Sequence, residues 1–486
     1  MTKGRRSQIS RRPASIKERV NSILRYTELQ CVVSLILHAI SVLCMILCIV
    51  LANFLVGFEP SVNSTINPIE RYGYIPTVFL YFLNVIPILS VPFAVMNILG
   101  LVLLSLWPPP PRLRVPKSKI PFLCFRVVTR GLFPYLITKN VQRNIEACYK
   151  VGLSSFNFEI VTDNQINLPK SDLIRDIIVP RNYCTPNGSL FKARALHYCL
   201  EKEIDSLSDQ DWIVHLDEET LLTEESIIGL ANFAAMESGS IGQGVITYAN
   251  EEIVNWWTTL ADSVRVAVDL GMMRFSFEAL NCPAIGFKGS YILVKQSVEK
   301  EIGFDFGPKG SIAEDIFFAF MAWKKGYSFN FVEGEMWEIS TFTIGDYIKQ
   351  RKRWFIGHMC ALLSPDISLK CKLILIPTDL GWLLLLASVI NIPCSFIYPT
   401  PMPMFLKVIS TSIGGLILFL FVLGSIKSFS IKRYGLIRKV LICTGSIAVI
   451  PLAAMLDGVA SLYGFLTRTY DEFHIDRKEK LPYVVS

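Results

Sequence analysis

The sequence lacks the motifs of a zinc-stabilised fold and of a repeat protein. Its 12 cysteines form no C-x-x-C pair and its five histidines are scattered, so no zinc-binding pattern is present. No internal repeat and no long low-complexity tract occur beyond a short proline run at Trp107–Pro111. The net charge of +7 on 486 residues is modest, and we expect no nucleic acid partner.

Charged residues are scarce as well, at 18% of the chain, whereas 51% of the residues are hydrophobic and the mean hydropathy is +0.42. These values exclude an ordinary soluble enzyme. The hydrophobic residues concentrate in long, mostly uncharged runs that exceed the ~20 residues needed to cross a bilayer. The predicted spans are Cys31–Phe58, Thr77–Trp107 with kinks at Pro87 and Pro92, Leu373–Tyr398, Phe405–Ile426 and Val440–Leu466.

These runs divide the chain into five segments. The predicted segments are a basic arm at 1–30, two spans joined by a short loop at 31–107, a globular domain at 108–372, about three transmembrane or re-entrant helices at 373–466, and a tail at 467–486.

Lys and Arg predict the orientation in the membrane. Met1–Gln30 holds eight basic and two acidic residues, whereas the loop Glu59–Pro76 holds one basic and two acidic residues. Cytoplasmic segments carry the excess of Lys and Arg, so we expect the arm and the domain in the cytosol and the loop in the lumen. The sequon at Asn63 is then open to glycosylation, whereas the one at Asn187 is not. Three full final spans would put the tail in the lumen; we expect a re-entrant hairpin that leaves it cytosolic.

The middle domain alternates strand-like and helical stretches. Apolar runs at 121–129, 156–163, 174–180 and 211–219 are separated by segments with helical spacing, among them Lys139–Gly152 and Phe191–Glu203. This alternation predicts an α/β fold with a mainly parallel sheet and helices on both faces. Ligands bind such sheets outside the carboxyl ends of the strands, so Asp163 and Asp217, each at a strand end, should line one crevice.

The stretch "DWIVHLDEET" leads a buried strand directly into Asp217, Glu218 and Glu219. One interpretation is an ordinary strand end before a helix that starts with favourable acids. The other is a site where carboxylates hold a divalent cation against a phosphorylated ligand.

Three downstream motifs also carry two interpretations each. Lys192 and Arg194 in "FKARAL" are either a solvated helix face or phosphate contacts. "AEDIFF" is either an acidic helix start or a pair of catalytic carboxylates. "QRKRW" is either a basic membrane flank with an interfacial Trp or a ligand-binding run.

The order of these motifs resembles the inverting family-two glycosyltransferases with a GT-A fold, which include the cellulose, chitin and hyaluronan synthases. The resemblance covers about Pro121–Gly357. A closer resemblance is to the animal β-1,4-mannosyltransferases of glycosphingolipid synthesis. It is carried by "FRVVTRG", "FEIVTDN", "HLDEET", "GFKGSYILV", "SIAEDIFFAF" and "QRKRWFIGH". The chain departs from the broad family at Glu219, where Asp is usual, and in the short nucleotide stretch "TDNQ".

The resemblance implies roles for thirteen residues. We expect Asp315 as general base with Glu314 positioning it, and a Mn²⁺ or Mg²⁺ ion on Asp217 and Glu219. The expected nucleotide-sugar contacts are Thr129, Asp163, Lys192, Arg194 and Asp217, and the expected acceptor contacts are Gly289, Ser290, Gln350, Arg353 and Trp354.

The function implied is transfer of mannose from GDP-mannose to glucosylceramide in β-1,4 linkage, at the endoplasmic reticulum or Golgi membrane. A ceramide glucosyltransferase and a processive polysaccharide synthase share the expected fold. About five spans make a thin polymer channel, which favours a single transfer. A membrane transporter or scaffold would also explain the spans, but no cluster of charges within the spans marks a transport path, Asp457 being the main exception. That alternative also leaves the ordered carboxylates without a purpose.

Overall fold

The computed structural model describes residues 16–57, 67–169, 171–250, 252–284 and 286–467. The sequon at Asn63, the first half of the basic arm and nearly all of the tail lie outside the described residues. The predictions for those segments stay predictions.

Seven strands form one sheet at the centre of the domain. The strands are β1 (Leu123–Thr129), β2 (Phe156–Thr162), β3 (Ile174–Ile178), β4 (Trp212–Leu216), β5 (Ile241–Thr247), β6 (Ile292–Lys295) and β7 (Phe329–Trp337). Their order is β3-β2-β1-β4-β6-β5-β7. Only β6 runs antiparallel to its neighbours, β4 and β5. The predicted α/β class with a mainly parallel sheet is confirmed.

The helices are numbered in chain order. They are α1 (Ile16–Ala52), α2 (Pro68–Tyr72), α3 (Tyr74–Val85), α4 (Val91–Leu103), α5 (Pro134–Val151), α6 (Phe191–Tyr198), α7 (Glu224–Met236), α8 (Trp256–Val268), α9 (Arg274–Glu278), α10 (Gln296–Ile302), α11 (Gly307–Gly310), α12 (Glu314–Lys324), α13 (Ile344–Leu363), α14 (Leu369–Leu383), α15 (Leu385–Ile397), α16 (Met404–Ser428) and α17 (Ile431–Thr467).

Helices cover both faces of the sheet because successive strand residues point to opposite faces. Phe125 and Val214 pack in a core that includes α5 and α7. Cys124 and Ile213, one position away, pack in a second core that includes α6 and α12. This two-sided burial explains why the strands read as nearly continuous apolar runs.

Two helix boundaries differ from the sequence-based prediction. Helix α5 begins at Pro134 rather than near Lys139, because a proline fits the first turn, where its missing N–H costs nothing. Helix α6 ends at Tyr198 rather than Glu203. After it, backbone hydrogen bonds join residues three apart instead of four, as in the bond from the Leu200 N–H to the carbonyl of His197 at 3.0 Å.

Four helices among the described residues are long and apolar enough to cross a membrane. They are Glu28–Leu55, Tyr74–Leu103, Met404–Ser428 and Ile431–Thr467. A further pair, α14 and α15, is bent by 50° and forms either a broken span or a re-entrant loop. Pro377 and Pro393 lie inside these two helices. The helices fit a membrane protein.

The four candidate spans and the bent pair α14 and α15 are the membrane-type helices of this chain. The domain packs closely on them through small residues. A side-chain carbon at Gly100 of α4 would meet the carbonyl oxygen of Gly271 at 2.0 Å. Gly424 of α16 faces the Ser263 carbonyl of α8 in the same way, also at 2.0 Å. Glycine at these positions lets helix backbones approach one another. Helix α8 and the segment at Gly271 are therefore held directly against α16 and α4.

Candidate active site

One cavity of about 730 Å³ brings the predicted site residues together. All thirteen line it: Thr129, Asp163, Lys192, Arg194, Asp217, Glu219, Gly289, Ser290, Glu314, Asp315, Gln350, Arg353 and Trp354. Thr129 ends β1, and Asp163 and Asp217 directly follow β2 and β4. The crevice therefore lies at the carboxyl ends of parallel strands, where such folds bind ligands.

Lys192 connects three parts of the site. Its Nζ donates to Asp217 Oδ1 at 2.6 Å and to the Gly289 carbonyl at 2.7 Å, and it lies 3.8 Å from Glu314 Oε1. Burial alone would lower the pKa of Lys192, but the charges of Asp217 and Glu314 outweigh it and raise the pKa above its usual value. Lys192 is therefore a fixed positive charge at the centre of the carboxylates.

Asp163 is held by Arg194, another of the predicted nucleotide-sugar contacts. Arg194 Nη2 donates to the Asp163 carboxylate. The other guanidinium nitrogen of Arg194 donates to the carbonyls of Pro180 at 3.1 Å and Tyr183 at 3.2 Å. These bonds orient Asp163 toward the cavity, and they use part of the hydrogen-bonding capacity of Arg194.

The acidic stretch after β4 divides into carboxylates with different surroundings. Glu218 is buried, accepts a hydrogen bond from the Thr129 hydroxyl and has its carbonyl bound by Asn140 Nδ2 at 2.9 Å. Glu218 therefore fixes the ends of β1 and β4, a role that the sequence did not predict. Asp217 and Glu219 flank it and line the cavity.

The chemistry of these residues is compatible with a divalent cation. Oxygen ligands from Asp217 and Glu219 are the type that Mg²⁺ and Mn²⁺ prefer. Within the described ranges, no group of three His, Cys, Asp or Glu residues is placed to hold a metal ion. A cation there would take its remaining ligands from phosphate oxygens and water, as Mg²⁺ usually does.

Asp315 lies at the start of α12, beside Glu314 and against the loop before β6. Its Oδ1 accepts the Ile316 N–H at 2.9 Å. Burial, and then the charge of Glu314, raise the pKa of Asp315 to about 7. A side-chain carbon at Gly289 would lie 3.4 Å from Asp315 Oδ2, so glycine lets the backbone pass close to the carboxylate. Asp315 thus has the pKa of a base that works near neutral pH.

Ser290 lines the cavity, but its hydroxyl is already bonded within the protein. Its Oγ lies 2.8 Å from Thr220 Oγ1 and accepts the Asp217 N–H at 3.3 Å. Ser290 is also buried. Its contacts tie the end of β4 to the start of β6.

Helix α13 places Gln350, Arg353 and Trp354 of the "QRKRW" run on the cavity wall. Two guanidinium groups contact the Trp354 ring, with Arg265 at 4.6 Å and Arg351 at 4.3 Å from its centroid. Arg351 Nη1 donates to Gln350 Oε1 at 2.7 Å. These contacts hold Trp354 in one orientation and leave its neighbour Arg353 on the cavity wall.

Two further features of the site were not predicted. Arg351 is buried and bonds Asp262 of α8 and Asp457 of α17. The sequence signal for this ion pair was Asp457, because an acid within a predicted span needs a basic partner. His358 of α13 also lines the cavity and pairs with Asp379 of α14.

Known proteins match this chain in sequence over most of its length. A family model described as glycosyl transferase family group 2 matches residues 212–456. The chain is 42% identical over 441 residues to β-1,4-mannosyltransferase egh of Drosophila melanogaster, covering 90% of this chain and 96% of that protein.

The similarity extends to a nematode protein. The chain is 40% identical over 454 residues to β-1,4-mannosyltransferase bre-3 of Caenorhabditis elegans, covering 93% of this chain and 99% of that protein. Among solved structures, S. aureus TarS 1–349 aligns with a TM-score of 0.31 and 11% identity, covering 73% of this chain and 94% of that one.

Proposed function

The chain belongs to glycosyl transferase family group 2 and, within it, to the β-1,4-mannosyltransferases, and we propose that it transfers mannose from GDP-mannose to glucosylceramide. The proposed product is a β-1,4-linked lipid, formed in one step with inversion at the anomeric carbon. The choice of donor nucleotide and of acceptor follows from the resemblance to the mannosyltransferases of glycosphingolipid synthesis.

The lining of the cavity carries the proposal. It includes Asp163 and Lys192, beside the strand ends, and also Phe93 of α4 and Thr378 and Trp382 of α14, which belong to the membrane-type helices. The same cavity can therefore take a water-soluble donor beside the strand ends and a lipid headgroup beside these helices. Anchoring the acceptor in a membrane raises its local concentration and limits its orientations.

On the donor side, polar groups match the parts of a nucleotide sugar. The Asp163 carboxylate can accept N–H bonds from guanine or uracil, so this residue does not choose between the bases. Lys192 and Arg353 supply positive charge for the diphosphate. Asp217 and Glu219 would hold a Mn²⁺ or Mg²⁺ ion, which neutralises the diphosphate as it leaves.

On the acceptor side, Asp315 removes the proton from the attacking hydroxyl. The acceptor oxygen forms a bond to the anomeric carbon of mannose while the bond to the diphosphate breaks on the opposite face, so the configuration inverts. General-base catalysis of this kind contributes roughly 10²–10⁴-fold. Glu314 raises the pKa of Asp315, and with it the strength of the base.

The proposed orientation follows from the charge distribution, and the proposed organelle follows from the resemblance to the mannosyltransferases of glycosphingolipid synthesis. We place the catalytic domain on the cytosolic side of the endoplasmic reticulum or Golgi membrane, because basic residues concentrate in the segments that flank it. GDP-mannose would then reach the site from the cytosol.

A radiolabelled-donor screen on purified membranes tests the proposal. Transfer from GDP-mannose should exceed transfer from UDP-sugars, and glucosylceramide should be a far better acceptor than free glucose. A preference for a UDP-sugar would instead favour a ceramide glucosyltransferase. Equal use of free glucose would contradict the lipid acceptor.

A further inference from the structure

His358 presents its ring to the cavity from the helix that carries Trp354. Residues 350, 354 and 358 are four apart, so they lie on one face of α13. Gln350, Trp354 and His358 all line the cavity. The imidazole of His358 also packs edge-on against Trp382 of α14, with the ring centroids 5.8 Å apart.

Asp379 of α14 holds the other side of this imidazole. His358 Nδ1 lies 3.0 Å from Asp379 Oδ1. Asp379 is 3% exposed in a helix that is otherwise mostly apolar. In the part of the chain that the structure describes, Asp379 Oδ2 has no hydrogen-bond partner. A buried carboxylate of this kind is costly unless it is paired, so His358 is what compensates it.

The pair sets the protonation of the ring. Burial alone would lower the pKa of His358, but the hydrogen bond to Asp379 and the charges of Asp379 and Asp315 raise it above its usual value. With Nδ1–H donated to Asp379, the protonated form of the ring also carries Nε2–H as a second donor. Among the described residues, no hydrogen-bond partner of Nε2 is found.

His358 lies close to the catalytic base along one short loop. A side-chain carbon at Gly286 would lie 3.8 Å from His358 Nε2. Three residues later, Gly289 approaches Asp315 Oδ2. The loop between these glycines therefore runs from the imidazole to the base, and Trp382 of α14, which packs against the imidazole, also lines the cavity.

From this geometry we propose that His358 binds the acceptor, donating Nε2–H to an oxygen of its sugar headgroup, and that Asp379 is the residue that positions His358. The inference rests on the proposed function and assigns a subsite for a hexosyl lipid. A hydrogen bond from the charged ring holds the headgroup so that the attacking hydroxyl meets Asp315. Because Asp379 belongs to a membrane-associated helix, the subsite lies where the headgroup leaves the bilayer.

Steady-state kinetics of the full-length enzyme test this subsite. The variants are His358→Ala, His358→Gln and Asp379→Asn, and Lys349→Ala on the exposed side of the same helix is the matched control. For His358→Ala, kcat/KM for glucosylceramide should fall about 10- to 100-fold through loss of a charge-assisted hydrogen bond. The KM for GDP-mannose and the slow hydrolysis of GDP-mannose without acceptor should stay within about twofold.

The conservative variants separate binding from folding. The amide of Gln can still donate a hydrogen bond, so His358→Gln should recover part of the acceptor kcat/KM, whereas Asp379→Asn should raise the acceptor KM and leave the donor KM unchanged. A retained kcat/KM in His358→Ala, or an equal loss of transfer and of donor hydrolysis in all three variants, would overturn the role of His358. A wild type that is inactive with glucosylceramide would contradict the proposed acceptor itself.

Discussion

Arg351 Nε lies 3.4 Å from Asp457 Oδ1, so the helix that carries Trp354 is joined by an ion pair to the last membrane-type helix. The same guanidinium bonds Asp262 of α8 and lies 4.2 Å from the centroid of the Tyr347 ring. Three helices therefore meet at one buried arginine. The position of the "QRKRW" residues depends on how the membrane-type helices pack.

Replacing Arg351 should destabilise the protein. Arg351→Met removes the nearer of the two arginines that pair with the buried Asp262 and leaves it only Arg265, at 3.7 Å. The loss costs less than the roughly 3–5 kcal/mol of a fully unpaired buried charge. Thermal unfolding in detergent should therefore shift to lower temperature, and transfer should fall because Trp354 loses one of its two stacking partners. Lys349→Met, an exposed change on the same helix, is the control and should leave both unchanged. An unaltered unfolding temperature in Arg351→Met would show that the pair is not structural.

Asp315→Asn tests the general base. The amide cannot accept the proton, so kcat should fall by more than about 10²-fold. Asn has nearly the same shape, and the affinity for the donor should stay within a few-fold. Turnover at saturating donor and acceptor, with donor binding measured separately by calorimetry, distinguishes the two. Full activity in this variant would remove Asp315 from its assigned role.

The pH dependence of kcat provides an independent test of the same residue. Burial and Glu314 raise the pKa of Asp315 to about 7. The active form is the carboxylate, which is populated above the pKa and lost as the pH falls through it. At saturating substrate, kcat should fall about tenfold per pH unit well below this pKa and level off above it. A kcat that is constant down to about pH 5 would mean that another group takes the proton.

Removing divalent cations should abolish transfer. Asp217 and Glu219 provide two oxygen ligands, and the leaving diphosphate needs its charge neutralised. A chelator should stop the reaction, and Mn²⁺ or Mg²⁺ should restore it. Asp217→Ala should remain inactive at every metal concentration, because it loses a metal ligand and also the partner of Lys192. Transfer that persists in chelator would count against the cation.

The sequence predicted the parts of the site that local patterns determine. Asp163 and Asp217 follow apolar strands, and parallel strands end on the same edge of a sheet, so their shared crevice could be derived before any coordinates. The acidic start of α12 and the "QRKRW" run were recognised by their order along the chain. The two aspartates, Glu314 and Asp315 line the cavity, and so do Gln350, Arg353 and Trp354 of the run.

The sequence could not predict how distant residues pair. Lys192 meets Asp217, and His358 meets Asp379, across turns and helix breaks that carry no local signal. The antiparallel direction of β6 was missed for the same reason, since a strand of three apolar residues and Lys295 reads alike in either direction. Arg351 appeared to be one of several basic residues before a span, and only the folded chain shows that it lies under Trp354.

Analysis of the lipid product tests the central claim most directly. Purified full-length protein would be incubated with GDP-mannose and glucosylceramide, and the lipids would be examined by mass spectrometry and linkage analysis. The account predicts one product, longer than the acceptor by a single mannose in β-1,4 linkage. A ladder of longer products would point to a processive synthase, and an α-linked mannose would contradict the inverting mechanism assigned to Asp315.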